Sequence, residues 1–224
     1  MKIEKLKIEN MSAEDAYIYT RDVTKGRCKK AEKIIAKSAK YAYMYARDII
    51  GGRWTEAEKT IVKKAEWSSL YAEQILKERW PEAEPMIVKD ARFAYYYARD
   101  VIKGRWLEAE SIIAQDSDFA HYYALEVIKG RWPAAEPCLI NDVYDAYYYA
   151  QDVLKARWPE AEEIIAKSNE HRKMYIKLFF KGRKVVTKDK YSDFEWERAG
   201  LTGYFAEKEV FKRKKSLLDI VIKW

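Results

Sequence analysis

Cysteine and histidine are nearly missing from this 224-residue chain, with two of each. Cys28, Cys138, His121 and His171 are too few and too scattered for a four-ligand zinc site of the usual kind. Two lone thiols at repeat positions where other units carry Trp or Ile read as reduced packing residues, not a disulfide framework. Glycine (8) and proline (5) are also scarce, and no polar low-complexity tract points to disorder. No run approaches the ~18 apolar residues of a membrane span. The opening MKIEKLKIENMS lacks the apolar core of a signal peptide. Phosphate-loop and nucleophile motifs are absent too. The expectation is a cytoplasmic, non-catalytic chain with no transmembrane segment, metal or cofactor.

What is present is aromatic and charged: 18 Tyr, 8 Trp and 35% Asp, Glu, Lys and Arg. Arg-Trp pairs fall at 53–54, 79–80, 105–106, 131–132 and 157–158, each 26 residues after the last. Arg27-Cys28 and Arg183-Lys184 extend the register. A fixed period without insertions is the signature of stacked supersecondary units. Each unit reads as two helices. The first starts after Ser12, Ser38, Asp90, Asp116, Asp142 or Ser168, with Lys64 the exception; Ser and Asp satisfy the free amides of a helix start. It ends at Gly26, Gly52, Gly104, Gly130 or Gly182, where glycine suits a left-handed terminus. The second starts near Pro81, Pro133 and Pro159.

The expected fold is all-α: an α-solenoid of two-helix, 26-residue repeats over 12–183. A cap at 1–11 precedes it, with Ile3, Leu6 and Ile8 covering the first unit. A non-repeat, partly irregular basic capping segment at 184–224 follows and ends in a helix.

The wording D-x-x-x-A-Y-Y-Y-A-R-D-V-I-K-G-R-W-P-E-A-E-x-I-I-A-K, over about 12–183, resembles tandem helical repeats of phage and phage-like bacterial proteins. The resemblance implies a viral or mobile-element origin, hence a host-cytoplasm location, and a helical array. It carries no activity and no site residues.

Comparing repeats separates scaffold from decoration. Tyr19, Tyr45, Tyr71, Tyr97, Tyr123, Tyr149 and Tyr175 form an unbroken column that reads as core. Arg27 to Arg183 and Glu32 to Glu162 recur together five residues apart, as a repeated ion pair would. The column of Tyr17, Tyr43, Ser69, Tyr95, His121, Tyr147 and Lys173 varies, which predicts partial exposure. One turn on stand Arg21, Arg47 and Arg99. Tyr17, Tyr43, Tyr95, His121, Tyr147 and these arginines are therefore the candidate binding face. An ordinary amphipathic helix surface is the plain alternative.

Charge divides unevenly: residues 1–168 hold 28 Lys/Arg and 28 Asp/Glu, whereas 169–224 hold 15 and 8, a net of +7. Lys208, Lys212, Arg213, Lys214 and Lys215 are the candidate anion or nucleic-acid contacts on a basic amphipathic helix. The favoured partner is a protein held on the array surface. The alternative is a nucleic acid held by the basic C-terminal region and the Tyr/Arg face, and a weaker third is a small molecule held between array and C-terminal segment.

Overall fold

The structure, a computed structural model, describes residues 8–180. Ile3, Leu6, Gly182, Arg183 and the segment 184–224, with Lys208, Lys212, Arg213, Lys214 and Lys215, lie outside the described residues. The chain forms two compact units, Met1–Ile113 and Ala114–Trp224, so the division falls inside the repeat array. The described residues are all helical, without a strand. Each unit is built as an α-solenoid of two-helix repeats.

In the first unit the first helices begin as α-helix over Ala13–Ile18, Ala39–Tyr45, Ala65–Tyr71 and Ala91–Tyr96. They continue without a break as π-helix over Tyr19–Thr24, Ala46–Ile50, Ala72–Leu76 and Tyr97–Ile102. The second helices are Lys29–Ile35, Thr55–Ile61, Glu84–Ile87 and Leu107–Ile113. A 3-10 turn, Ile8–Asn10, packs on the first of them. The second unit repeats the plan with Ser117–Tyr122 into Tyr123–Ile128, and Val143–Tyr148 into Tyr149–Leu154. Its second helices are Glu136–Leu139 and Glu162–Ile165, and it ends in Asn169–Phe179.

Helix starts follow the caps only in part. Ser12, Asp90, Asp116, Asp142 and Ser168 accept backbone N–H groups of the first turn. Ser38 stands at the cap position without a side-chain bond, as does Lys64. The sequence places the second-helix starts near Pro81, Pro133 and Pro159, but regular helix begins three residues later, at Glu84, Glu136 and Glu162, with Pro159 opening a 3-10 turn before it. A second proline, Pro85 or Pro137, lacks the N–H that would close the first α-turn. Ala83 N–H bonds Trp80 O at 2.9 Å and Ala135 N–H bonds Trp132 O at 3.0 Å, three-residue bonds that Ala57 and Ala109 also make in the repeats without that proline. Thr55 and Leu107 stand where Pro81 and Pro133 do and begin helix directly.

The first-helix ends also differ from expectation. The left-handed residue is the lysine before the glycine: Lys25, Lys77, Lys103, Lys129 and Lys155 have φ of 50–60°. Gly51 (φ 69°) holds that place in the second repeat. The widened π-turn adds a residue to the terminal loop, so Gly104 N–H reaches back six residues to Ala98 O at 3.1 Å. The Schellman closure of an α-helix reaches back five. The following glycines need no special backbone, and a Cβ on Gly104 or Gly130 would meet nothing within 4 Å. Glu78 and Ala156 occupy the same position in other repeats.

Second helices bury Ala and Ile or Leu four apart, such as Ala57 with Ile61 and Ala135 with Leu139. Each such aliphatic side chain contributes roughly 1.5–3 kcal/mol. Alanines such as Ala42, Ala46, Ala94 and Ala98 are fully buried and let the first helices of neighbouring repeats approach.

The tyrosine column locks repeat to repeat. Tyr71 Oη accepts the N–H of Trp54, 17 residues upstream, at 2.6 Å and donates to Glu58 Oε1 at 3.2 Å. Tyr97 does the same with Trp80 (2.6 Å) and Glu84 (3.0 Å), and Tyr175 with Trp158 (2.6 Å) and Glu162 (3.3 Å). Tyr45 bonds Cys28 N–H (3.2 Å) and Glu32 (2.9 Å). The glutamate is held in turn by both guanidinium arms of the arginine five residues before it: Arg79 Nε and Nη2 each lie 2.9 Å from Glu84. Hydrogen bonding to arginine pulls the Glu32 and Glu84 carboxyls below the ordinary range. The rings of Tyr45, Tyr71, Tyr97, Tyr123 and Tyr149 also pack on the tryptophan of their own repeat, Tyr71 on Trp80 at 5.2 Å between centroids, whereas Tyr175 packs on Phe179. Burial pushes the Tyr45, Tyr71 and Tyr149 hydroxyls up to about 12. Tyr19 is only half-buried; its upstream partner would be residue 2, outside the described residues.

Tyr97→Phe leaves the buried Trp80 N–H without an acceptor and should cost about 1–3 kcal/mol in a urea titration. Because the folded-state pKa values of Tyr45, Tyr71 and Tyr149 are raised from 10.0, the stability they carry is complete below pH 10 and is lost as pH rises toward 12. Tyrosinate absorbance should therefore rise together with loss of helical circular dichroism. At the helix ends, Lys103→Gly relieves a left-handed lysine and should gain about 0.5–1 kcal/mol, whereas Gly104→Ala should change stability by less than about 0.5 kcal/mol.

Candidate interaction face

Neighbouring tyrosines on the first helix go opposite ways. Tyr95 is 2% exposed and Tyr96 is 38% exposed. Tyr17, Tyr43 and Tyr147 are buried like Tyr95. The expected partial exposure of this column is therefore wrong. Its variability has another cause, because Tyr17 and Tyr43 match partners in the next repeat. Tyr17 donates to Asp48 Oδ2 at 2.6 Å, and Tyr43 donates to Gln74 Oε1 at 2.6 Å, each 31 residues on. The rings meet variable aromatics of the next first helix: Tyr17 with Tyr41 (5.9 Å), Tyr43 with Trp67 (5.7 Å) and Tyr147 with His171 (5.4 Å). Tyr147 also hydrogen-bonds Gln151 in its own repeat.

The arginines of the candidate face stay at the rim, partly exposed, and are already engaged. Arg21, Arg47 and Arg99 each make a two-pronged pair with the following aspartate, Nε to Oδ1 at 2.7, 2.6 and 2.8 Å respectively. Neighbours i and i+1 do not face each other on an α-helix; all three pairs sit in the wider π-turns. The guanidinium carbons also lie 5.1–5.5 Å from the rings of Tyr17, Tyr43 and Tyr95. Hydrogen bonding to arginine lowers the Asp22 and Asp48 carboxyls. The Tyr/Arg column is thus a sealed seam of rings, guanidiniums and carboxylates.

The outward aromatic and apolar positions are one residue further along, in the column that sequence comparison left unassigned. In the first unit Ile18 and Tyr96 are exposed, with Met44 and Leu70 half-buried between them. In the second unit Tyr122 is 48% exposed, and Tyr148 is half-buried beside Tyr144, which is 58% exposed. Tyr144 and Tyr148 stack at 4.3 Å. The signal was in the sequence: this column is apolar or Tyr in every repeat, yet it never turns small.

His121 replaces a tyrosine of the buried seam. Its Nε2 lies 4.0 Å from Asp152 Oδ2, the position equivalent to Asp48 opposite Tyr17. Burial lowers the His121 pKa, against the pull of Asp152 and Asp145. Burial raises the Asp145 carboxyl, which Ser117 partly offsets by hydrogen bonding. Cys28 and Cys138 are free and half-buried, and the Cys138 thiol, raised by burial, contacts Gln115 O at 3.3 Å.

Among the described residues no cluster of three or more His, Cys, Asp or Glu is placed to hold a metal ion. No helix among them is long and apolar enough to cross a membrane. No family model matches the chain, and no curated protein and no solved structure matches it either.

The buried histidine gives a pH test. Its folded-state pKa lies below the ordinary 6.5, so the contribution to stability is present above pH 6.5 and declines as pH falls through the folded value. Denaturant midpoints should drop between pH 7.5 and 5.5. His121→Tyr, which restores the neutral rung opposite Asp152, should remove most of that drop.

Proposed function

We propose that this chain is a non-catalytic helical-repeat binding protein whose partner is a protein docked on the outward apolar column. The observation that carries this is the line of exposed or half-exposed Ile18, Met44, Leu70 and Tyr96 in the first unit, and of Tyr122, Tyr144 and Tyr148 in the second. Tyrosine offers a large ring and a polar tip at small entropic cost, and aromatics are enriched at interface cores. The solenoid fully buries its scaffold tyrosines from Tyr45 to Tyr175, so further ones kept in contact with water are not demanded by packing. The repeated polar groups are committed to one another in latches and seams, which is the use expected of scaffolding, not of a converging acid, base and nucleophile. The resemblance to phage repeats makes a host factor in the bacterial cytoplasm the partner class to test first.

Nucleic-acid binding through the Tyr/Arg face finds less support. Stacking on bases needs accessible rings, and Tyr17, Tyr43, Tyr95 and Tyr147 are inside, with their arginines neutralised by Asp.

The test compares the wild type with Ile18→Ser/Tyr96→Ser/Tyr122→Ser in pull-downs from bacterial lysate. Equal melting temperatures establish that both are folded. Selective loss of the captured protein in the variant is expected. Capture of the same proteins by both chains, or of none by the wild type, overturns the assignment.

A further inference from the structure

A second surface lies on the second helices of the first two repeats. Net charge cancels over residues 1–168, but it does not cancel locally: residues 25–64 carry 12 Lys/Arg against four Asp/Glu. Three of those four carboxylates are taken up by arginine, in Arg27–Glu32, Arg47–Asp48 and Arg53–Glu58. The lysines are then opposed by Glu56 alone within the stretch.

Their placement is ordered. Ala31, Ile35, Ala57 and Ile61 form the fully buried side of the two second helices. Lys29 and Lys33 lie on the opposite side of the first of these helices and Lys37 in the turn just past its end, at four-residue intervals and all exposed. Lys59 and Lys63 are the repeat equivalents of Lys33 and Lys37, also exposed, on the second helix of the next repeat and in the turn after it. None of these five lysines makes an ion pair among the described residues, although Lys29 helps to lower the Glu32 carboxyl. Later repeats put Pro85, Ser111, Pro137 and Glu163 where Lys33 stands, and Lys89, Gln115, Asn141 and Lys167 where Lys37 stands. The scaffold therefore does not require a cation at either position.

We propose that this lysine ridge binds the phosphate backbone of duplex nucleic acid, without reading its sequence. The ridge offers no exposed ring for stacking, which separates it from single-strand platforms. It has no apolar anchor of the kind that dominates protein interfaces, which disfavours an acidic protein. Lysines on long flexible stems act as point charges that follow a rod carrying a charge every ~1.7 Å. This surface is separate from the outward apolar column and does not depend on it.

The experiment titrates the full-length chain with short duplex DNA and duplex RNA over a range of salt. Binding should weaken steeply with salt for at least one duplex. Lys33→Gln/Lys37→Gln/Lys59→Gln/Lys63→Gln should weaken low-salt binding by about 10- to 100-fold and flatten the log–log salt slope by about 3–4. Its melting temperature and circular dichroism should be unchanged. A variant neutralised at Lys208, Lys212, Arg213, Lys214 and Lys215 should keep the ridge-dependent part of the slope. The proposal fails if the wild type binds neither duplex at low salt, or if the ridge variant keeps the full slope. It also fails if poly-glutamate or anionic vesicles compete as strongly as the duplex at equal charge.

Discussion

A buried tyrosine hydroxyl must satisfy both its proton and its lone pairs inside the protein, and the array is organised around that demand. Tyr71, Tyr97 and Tyr175 meet it with the backbone N–H 17 residues upstream and a carboxylate 13 residues upstream. Both partners sit at the corner of the preceding repeat, so the hydroxyl is satisfied only when two repeats dock in one register. An unpaired buried donor or acceptor costs about 1–3 kcal/mol, and each added or deleted residue between corner and tyrosine would incur it. The constancy of the 26-residue spacing is thus a hydrogen-bonding constraint as much as an apolar one. The arginine's share is indirect: gripping the glutamate from both arms, it aims one oxygen at the incoming phenol. Where burial is deepest, at Glu162, which is fully buried, the arginine is drawn in as well.

The π-helical ends belong to the same geometry. An extra residue in the last turn lets one backbone carbonyl, such as Ala98 O, receive the N–H groups of both Lys103 and Gly104. The chain then turns through a left-handed residue into the Arg-Trp corner. A turn fixed in this way delivers the Trp N–H to the place where the next tyrosine expects it. Lysine is tolerated in the left-handed region because the corner over-determines the backbone, and strain of about 1–2 kcal/mol per site is small against the packing it serves.

Repetition made much of this legible in the amino-acid sequence. Seven Tyr and six Arg–Glu pairs in register announced a scaffold, and Ser or Asp at most starts announced the first helices. What stayed hidden was whatever depends on turning a helix by a fraction of a residue. Tyr95 and Tyr96 differ by one step around the axis, and π-winding shifts the faces from those of ideal 3.6-residue spacing, so periodicity alone assigned the wrong ring to solvent. Variation misled for a second reason. It was taken as exposure, whereas Tyr17 with Asp48 and Tyr43 with Gln74 vary because buried partners match one another pair by pair. The left-handed lysines escaped because Gly104 beside Lys103 is the better residue for that conformation by intrinsic preference, and tertiary closure overrode it.

A scaffold held together by latches and seams leaves its outer helical surfaces unconstrained by folding. Two features then need a cause outside the fold. Aromatic and aliphatic residues are retained toward water at Tyr96 and Tyr122, and cations are concentrated on the second helices of the first two repeats and not spread along the chain. The first column stays apolar or Tyr in every repeat, whereas the second gives way to Ser111 or Pro137 in later ones. Stacking alone would let these positions drift toward an even, mixed-charge surface, as the Arg–Glu edge has. Five exposed lysines without an ion pair instead destabilise the folded chain slightly by self-repulsion. Such a cost, concentrated in the first two repeats, fits a surface that meets an anion.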